Sequence, residues 1–113
     1  MYLFTRQSPV QGGRLGAAHA MDIPFVFGTV DSPGVDQLIG DGPDRAVLSL
    51  AMQDAWIAFA KTGDPSHGAI PAWPRWDPER QATMIFDTPC RVELDPYREE
   101  RLAWKGATFQ VHV

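Results

Sequence analysis

Among the side chains of this sequence that could move a proton near neutral pH, His19 has the setting best suited to chemistry. It lies in Gly16-Ala17-Ala18-His19-Ala20, where small neighbours leave room for another molecule to approach. An imidazole can take the proton of a hydroxyl as that hydroxyl attacks a carbonyl carbon, and later return it to the leaving group. A carboxylate on its second nitrogen would hold the tautomer and stabilise the imidazolium. The hydroxyls on offer are Ser8, Ser32, Ser49 and Ser66, and the nearest carboxylate in sequence is Asp22. His67, in a Ser/Gly/Pro loop, and His112, in the tail, read as solvated. His19, Asp22 and His67 have no compact metal-ligand spacing, so no metal site is expected. The one cysteine, Cys90, can form no internal disulfide and no Cys-x-x-Cys pair; it reads as a small apolar residue near a strand.

Several elements must position that histidine. Met1-Tyr2-Leu3-Phe4-Thr5 reads as a strand, and its lack of alternation suits one covered on both faces in a mostly parallel sheet. From Gln7 to about Gly42 no period is sustained; glycine and proline recur around one apolar knot, Ile23-Pro24-Phe25-Val26-Phe27. Long irregular connections of this kind usually carry a site or cross a larger body. The spacing of Leu48, Ala51 or Met52, Ala55 or Trp56, and Phe59 predicts a helix over Pro43–Thr62 with one broad apolar face. Pro43 suits its first turn, Lys61 its last, and Gly63 its cap. Thr83–Asp87 and Arg91–Asp95 read as strands of an antiparallel hairpin around Thr88-Pro89. A final helix from Tyr97 to about Lys105 is expected to bury Leu102 and Trp104. The four tryptophans read as core and loop packing.

The bulk numbers bound the function classes. The 113 residues are 44% apolar and 21% charged, with mean hydropathy −0.21, enough for a core and too little charge bias for disorder. A net charge of −4 and a pI near 5.2, with no basic stripe, argue against a nucleic-acid partner. No apolar run reaches the ~18–20 residues that span a bilayer, and the first six residues lack the order of a signal peptide. The compartment is left open.

Three stretches in order carry a resemblance. Gly16-Ala17-Ala18-His19-Ala20-Met21-Asp22-Ile23-Pro24-Phe25-Val26-Phe27-Gly28 resembles the histidine segment of type-B carboxylesterases, the family of para-nitrobenzyl esterases and cholinesterases. Met52 to Pro65 looks like the helix and cap that follow it there, and Trp73-Pro74-Arg75-Trp76 with Thr83–Asp87 is similar to the closing loop and last strand. The likeness runs from Tyr2 to about Trp104.

That resemblance implies an α/β fold, the C-terminal portion of an α/β-hydrolase, with a Ser–Glu–His or Ser–Asp–His triad acting on a small carboxylic ester. It also implies that His19 is the catalytic histidine. A lone histidine is more often structural than catalytic; the surrounding segment reverses that here. In this fold the chain order is nucleophile, acid, histidine, which puts the other two members before Met1. None of the four serines sits in a Gly-x-Ser-x-Gly elbow. Gly12-Gly13-Arg14-Leu15-Gly16 does not replace the oxyanion loop, because loop rather than helix follows it. Asp22 is then expected to make a structural hydrogen bond, not to complete the triad. Residues 1–113 are thus expected to supply one third of a triad, to need the upstream part of the same fold as partner, and to use no cofactor. The second class left open is a non-catalytic interaction or structural domain on the same scaffold, distinguished by loss of the upstream elbow.

Overall fold

In the computed structural model the described residues are 1–107. Three strands form one sheet in the order β1 (Tyr2–Phe4), β2 (Ala82–Phe86), β3 (Arg91–Leu94). β1 runs parallel to β2, with Tyr2 opposite Met84 and Phe4 opposite Phe86. β2 and β3 form the expected antiparallel hairpin, Ala82 pairing with Leu94 and Ile85 with Arg91. It is β2, not β1, that is covered on both faces: all five of its residues are buried, whereas β1 is half-buried with one pairing edge open among the described residues. A short apolar strand flanked on both sides has no solvent face to alternate toward, which is why Ala82-Thr83-Met84-Ile85-Phe86 is nearly all apolar.

Helix α3 (Asp44–Thr62) is the long helix expected from the spacing, with Pro43 at its N-cap and Gly63 closing it in the left-handed conformation. The Gly63 amide donates to the Phe59 carbonyl at 2.8 Å. Leu48, Ala51, Met52 and Ala55 are buried and Trp56 is half-buried, but Phe59 is 58% exposed, so the covered stripe is narrower than the periodicity suggests. Met21, Phe25, Val30 and Ile39 from the irregular stretch close the core against this stripe and against Met84 and Phe86.

The stretch between β1 and α3 is more ordered than its composition suggests. It contains a 3-10 segment (Val10–Gly13) and two one-turn helices, α1 (Ile23–Val26) and α2 (Asp36–Ile39). Four residues are too few to show a helical period, and Pro24 is compatible with a helix only because it occupies the first turn. α1 packs on α3, and the buried Ser49 hydroxyl donates to the Phe25 carbonyl at 2.9 Å.

Three further expectations are corrected. The last helix, α4, is shorter (Arg98–Ala103), and Leu102 and Trp104 are 41% and 63% exposed rather than buried. α4 is organised instead by charge, with Arg98 and Arg101 both donating to Asp95. His67 is half-buried rather than solvated: its Nε2 lies 2.9 Å from the Ala51 carbonyl, tying the loop after α3 back onto that helix. Trp56 and Trp73 pack on the core, while Trp76 is exposed. His112 lies outside the described residues. Among the described residues no helix is long and apolar enough to cross a membrane.

Candidate active site

β1 leads directly into the segment that carries His19. Just past the strand, Arg6 is buried, its Nη1 donating to the Ile39 carbonyl at 2.8 Å and its guanidinium 5.3 Å from the centre of the Phe25 ring. Two residues on, the Ser8 amide donates to the Gly16 carbonyl at 3.0 Å in an isolated antiparallel bridge. The Ser8 hydroxyl, itself buried, donates to the Leu38 carbonyl at 2.7 Å. These bonds close residues 9–15 into a loop and fix the start of the histidine turn.

The far side of the turn is fixed by three anchors. Met21 is 1% exposed, inserted in the core, with its sulfur accepting from the Ala18 amide at 3.3 Å. The Met21 and Ile23 amides donate to the Ala18 and Ala20 carbonyls, each at 3.3 Å. Asp22 Oδ2 accepts from the Tyr2 hydroxyl at 3.2 Å, a hydrogen bond of the kind expected of it. Ala20 has φ 66°, a conformation an alanine rarely adopts and which the flanking anchors impose.

His19 stands at the exposed apex of this turn, and its imidazole makes no hydrogen bond to a described residue. Ser8 and Ser49 are buried and already donate to carbonyls; Ser32 and Ser66 are exposed, and none of the four bonds to His19. No nucleophile–base pair is formed within these residues. The chain presents an exposed imidazole on a braced turn.

Two charged or phenolic groups near the turn are shifted. The Tyr2 phenol is raised, first by burial and then by the negative charge of Asp22 and the bond to it. Asp44, in the first turn of α3, is held below its usual value chiefly by the hydrogen bond from Arg6 Nε at 2.6 Å. Cys90 is half-buried, its thiol raised by burial, as a packing residue rather than a reactive one. A groove of about 770 Å³ is lined by Tyr2, Trp56, Phe59, Trp73 and Trp76, and His19 does not line it.

Tyr2, Arg6 and Met21 brace this segment, and sequence reasoning missed them. Arg6 alone gave a signal, a cation between an apolar strand and a loop. Nothing in a single sequence links Tyr2 to Asp22 across twenty positions.

Comparison with known proteins gives the family. The model of the carboxylesterase family matches residues 1–104. Phenmedipham hydrolase of Pseudarthrobacter oxydans is 38% identical over 107 residues, covering 90% of this chain and 21% of the relative. Para-nitrobenzyl esterase of Bacillus subtilis is 41% identical over 87 residues, covering 75% and 17%. A Geobacillus stearothermophilus carboxylesterase superposes with a TM-score of 0.76 at 42% identity, over 92% of this chain and 21% of that structure. An esterase of Clostridium hathewayi, described as hydrolysing aliphatic aromatic polyesters, gives 0.78 at 36% identity. The chain belongs to the type-B carboxylesterase family, whose solved members have the α/β-hydrolase fold. It spans about a fifth of the length of the Pseudarthrobacter and Bacillus relatives.

Proposed function

We propose that this chain is the C-terminal part of an α/β-hydrolase domain of a serine esterase, and that His19 is its general base and then general acid. The observation that carries this is the braced turn: Gly16 is bridged to Ser8, Met21 is buried and Asp22 is bonded to Tyr2, while the imidazole between them faces outward. A residue serving only the core would point inward, and a solvated loop would not be anchored on both sides. Holding a base by its backbone while leaving both ring nitrogens open is what a triad built from separate parts of a fold requires.

In the complete hydrolase a serine hydroxyl attacks the ester carbonyl as His19 takes its proton. The imidazolium passes that proton to the departing alcohol, leaving an acyl-enzyme. His19 then deprotonates a water that attacks the acyl carbon, and returns the proton to the serine. The serine, the carboxylate behind His19 and the oxyanion donors come from the remaining four-fifths of the fold, outside this sequence. The open edge of β1 and the exposed groove beside it are where we place contact with that remainder. The substrate class is a small carboxylic ester, and the chemistry needs no cofactor.

The test is a chimera in which residues 1–104 replace the matching segment of the Geobacillus carboxylesterase. Turnover of para-nitrophenyl butyrate by the chimera, with none by residues 1–113 beyond equimolar free imidazole, is expected. Saturable turnover by residues 1–113 alone, lost in His19→Ala, would overturn the division of the triad.

A further inference from the structure

We infer that Tyr2 is a positioning residue for His19, acting through its hydroxyl on Asp22 to fix the turn that carries the imidazole. This rests on the reading of His19 as the base and adds to it a residue seventeen positions away in sequence.

The geometry has three parts. First, the Tyr2 ring is immobilised. It lies on β1 opposite Met84, with the Trp56 ring at 4.9 Å and the Phe86 ring at 5.9 Å, both edge-on. Trp56 in turn packs on Phe86 at 5.9 Å, so strand, helix and phenol form one rigid aromatic block. Second, the hydroxyl at the tip of that block donates to Asp22 Oδ2 at 3.2 Å. Burial and the neighbouring carboxylate both keep the phenol protonated, so it donates throughout the neutral range. Third, the backbone between Asp22 and His19 cannot absorb movement freely. The Ile23 amide bonds to the Ala20 carbonyl, the Met21 amide to Ala18, and Ala20 is held at positive φ. A shift at Asp22 therefore reaches His19 within one turn of chain.

His19 has no side-chain bond of its own to a described residue, so its placement here derives from the turn. Met21 fixes the depth of that turn, because its side chain is buried. Tyr2 fixes its direction, because a single hydrogen bond from a rigid ring restrains the carboxylate laterally. Removing the hydroxyl leaves the ring packing intact and releases only that restraint. Misplacing a general base by about 1 Å can cost on the order of 100-fold in rate.

The experiment uses the complete hydrolase represented by the chimera, with melting temperature, kcat, KM and the pH profile of kcat/KM measured for each variant. Tyr2→Phe is expected to lower kcat about 10- to 100-fold with little change in KM or melting temperature. Asp22→Ala is expected to match it, and Asp22→Asn, which keeps an acceptor for the phenol, to recover most of kcat. Because both groups act through one bond, the double variant Tyr2→Phe/Asp22→Ala should lose no more than either single one. Wild-type kcat in Tyr2→Phe, or losses that multiply in the double variant, would overturn the inference. A fall in melting temperature that tracks the loss of kcat across the Tyr2 and Asp22 variants would also overturn it, by showing a purely structural role. Full activity in His19→Ala would instead overturn the reading of the base itself, leaving the two failures distinguishable.

Discussion

Arg6 donates from Nε to Asp44 Oδ2 over 2.6 Å, and this ion pair ties the exit of β1 to the first turn of α3. The Arg6 side chain is 7% exposed, and the same guanidinium also bonds the Ile39 carbonyl and lies against Phe25. One cation thus joins the strand, both one-turn helices and the long helix beneath the His19 turn.

Arg6→Met should therefore destabilise the chimera strongly, on the order of 3 kcal/mol, because it strands a partly buried carboxylate and a buried carbonyl. Urea unfolding reads the loss. The pH dependence follows from the lowered Asp44: a depressed folded-state value contributes stability above the ordinary carboxylate range, lost as pH falls through the folded value. Wild type should lose part of its advantage over Arg6→Met between about pH 4 and the lower folded value of Asp44. A constant difference between the two proteins across that window would contradict this.

Gly28 closes the histidine segment at φ 66°, and a Cβ there would stand 2.6 Å from Gln53 Oε1. Gln53 is held by its own amide bonds to the Ser49 carbonyl and hydroxyl at 3.3 and 3.1 Å. Gly28→Ala should cost about 1–2 kcal/mol from the left-handed backbone alone, with the displaced Gln53 adding to it. A melting temperature equal to wild type would show that the segment relaxes there.

Much of this architecture was legible in the sequence, and the rest was hidden for identifiable reasons. The 3.6-residue spacing of Leu48, Met52 and Ala55 and the apolar run within Thr83–Asp87 are local signals; the helix forms where it is expected and the strand one residue earlier, at Ala82–Phe86. The His19 turn was legible as a segment. Its bracing was not, because the Ser8–Gly16 bridge, the buried Met21 and the Tyr2–Asp22 bond are contacts between residues with no shared period. Leu102 and Trp104 were misread because apolar type was taken to mean burial, whereas α4 is fixed to Asp95 by arginines. The α1 turn was hidden by its length.

Residues 1–113 alone should be insoluble, or a dye-binding species without a cooperative melt. Val47, Leu50, Ile57, Phe59 and Trp76 are exposed, and β1 offers an open edge. Each large apolar side chain left uncovered forgoes about 1.5–3 kcal/mol, against a total stability of about 5–15 kcal/mol for a typical domain. A monomer by light scattering with a sharp thermal transition and dispersed amide NMR signals would contradict this. It would favour a self-sufficient, non-catalytic domain.

The most direct test of His19 as the base is the single-turnover acylation rate of the chimera with para-nitrophenyl butyrate, compared with its His19→Ala variant. Loss of the base should lower that rate by roughly 10^4-fold or more at unchanged melting temperature, since the triad acts as a unit. Asp22→Asn should lose far less. An acylation rate in His19→Ala within tenfold of the parent chimera would contradict the assignment of His19.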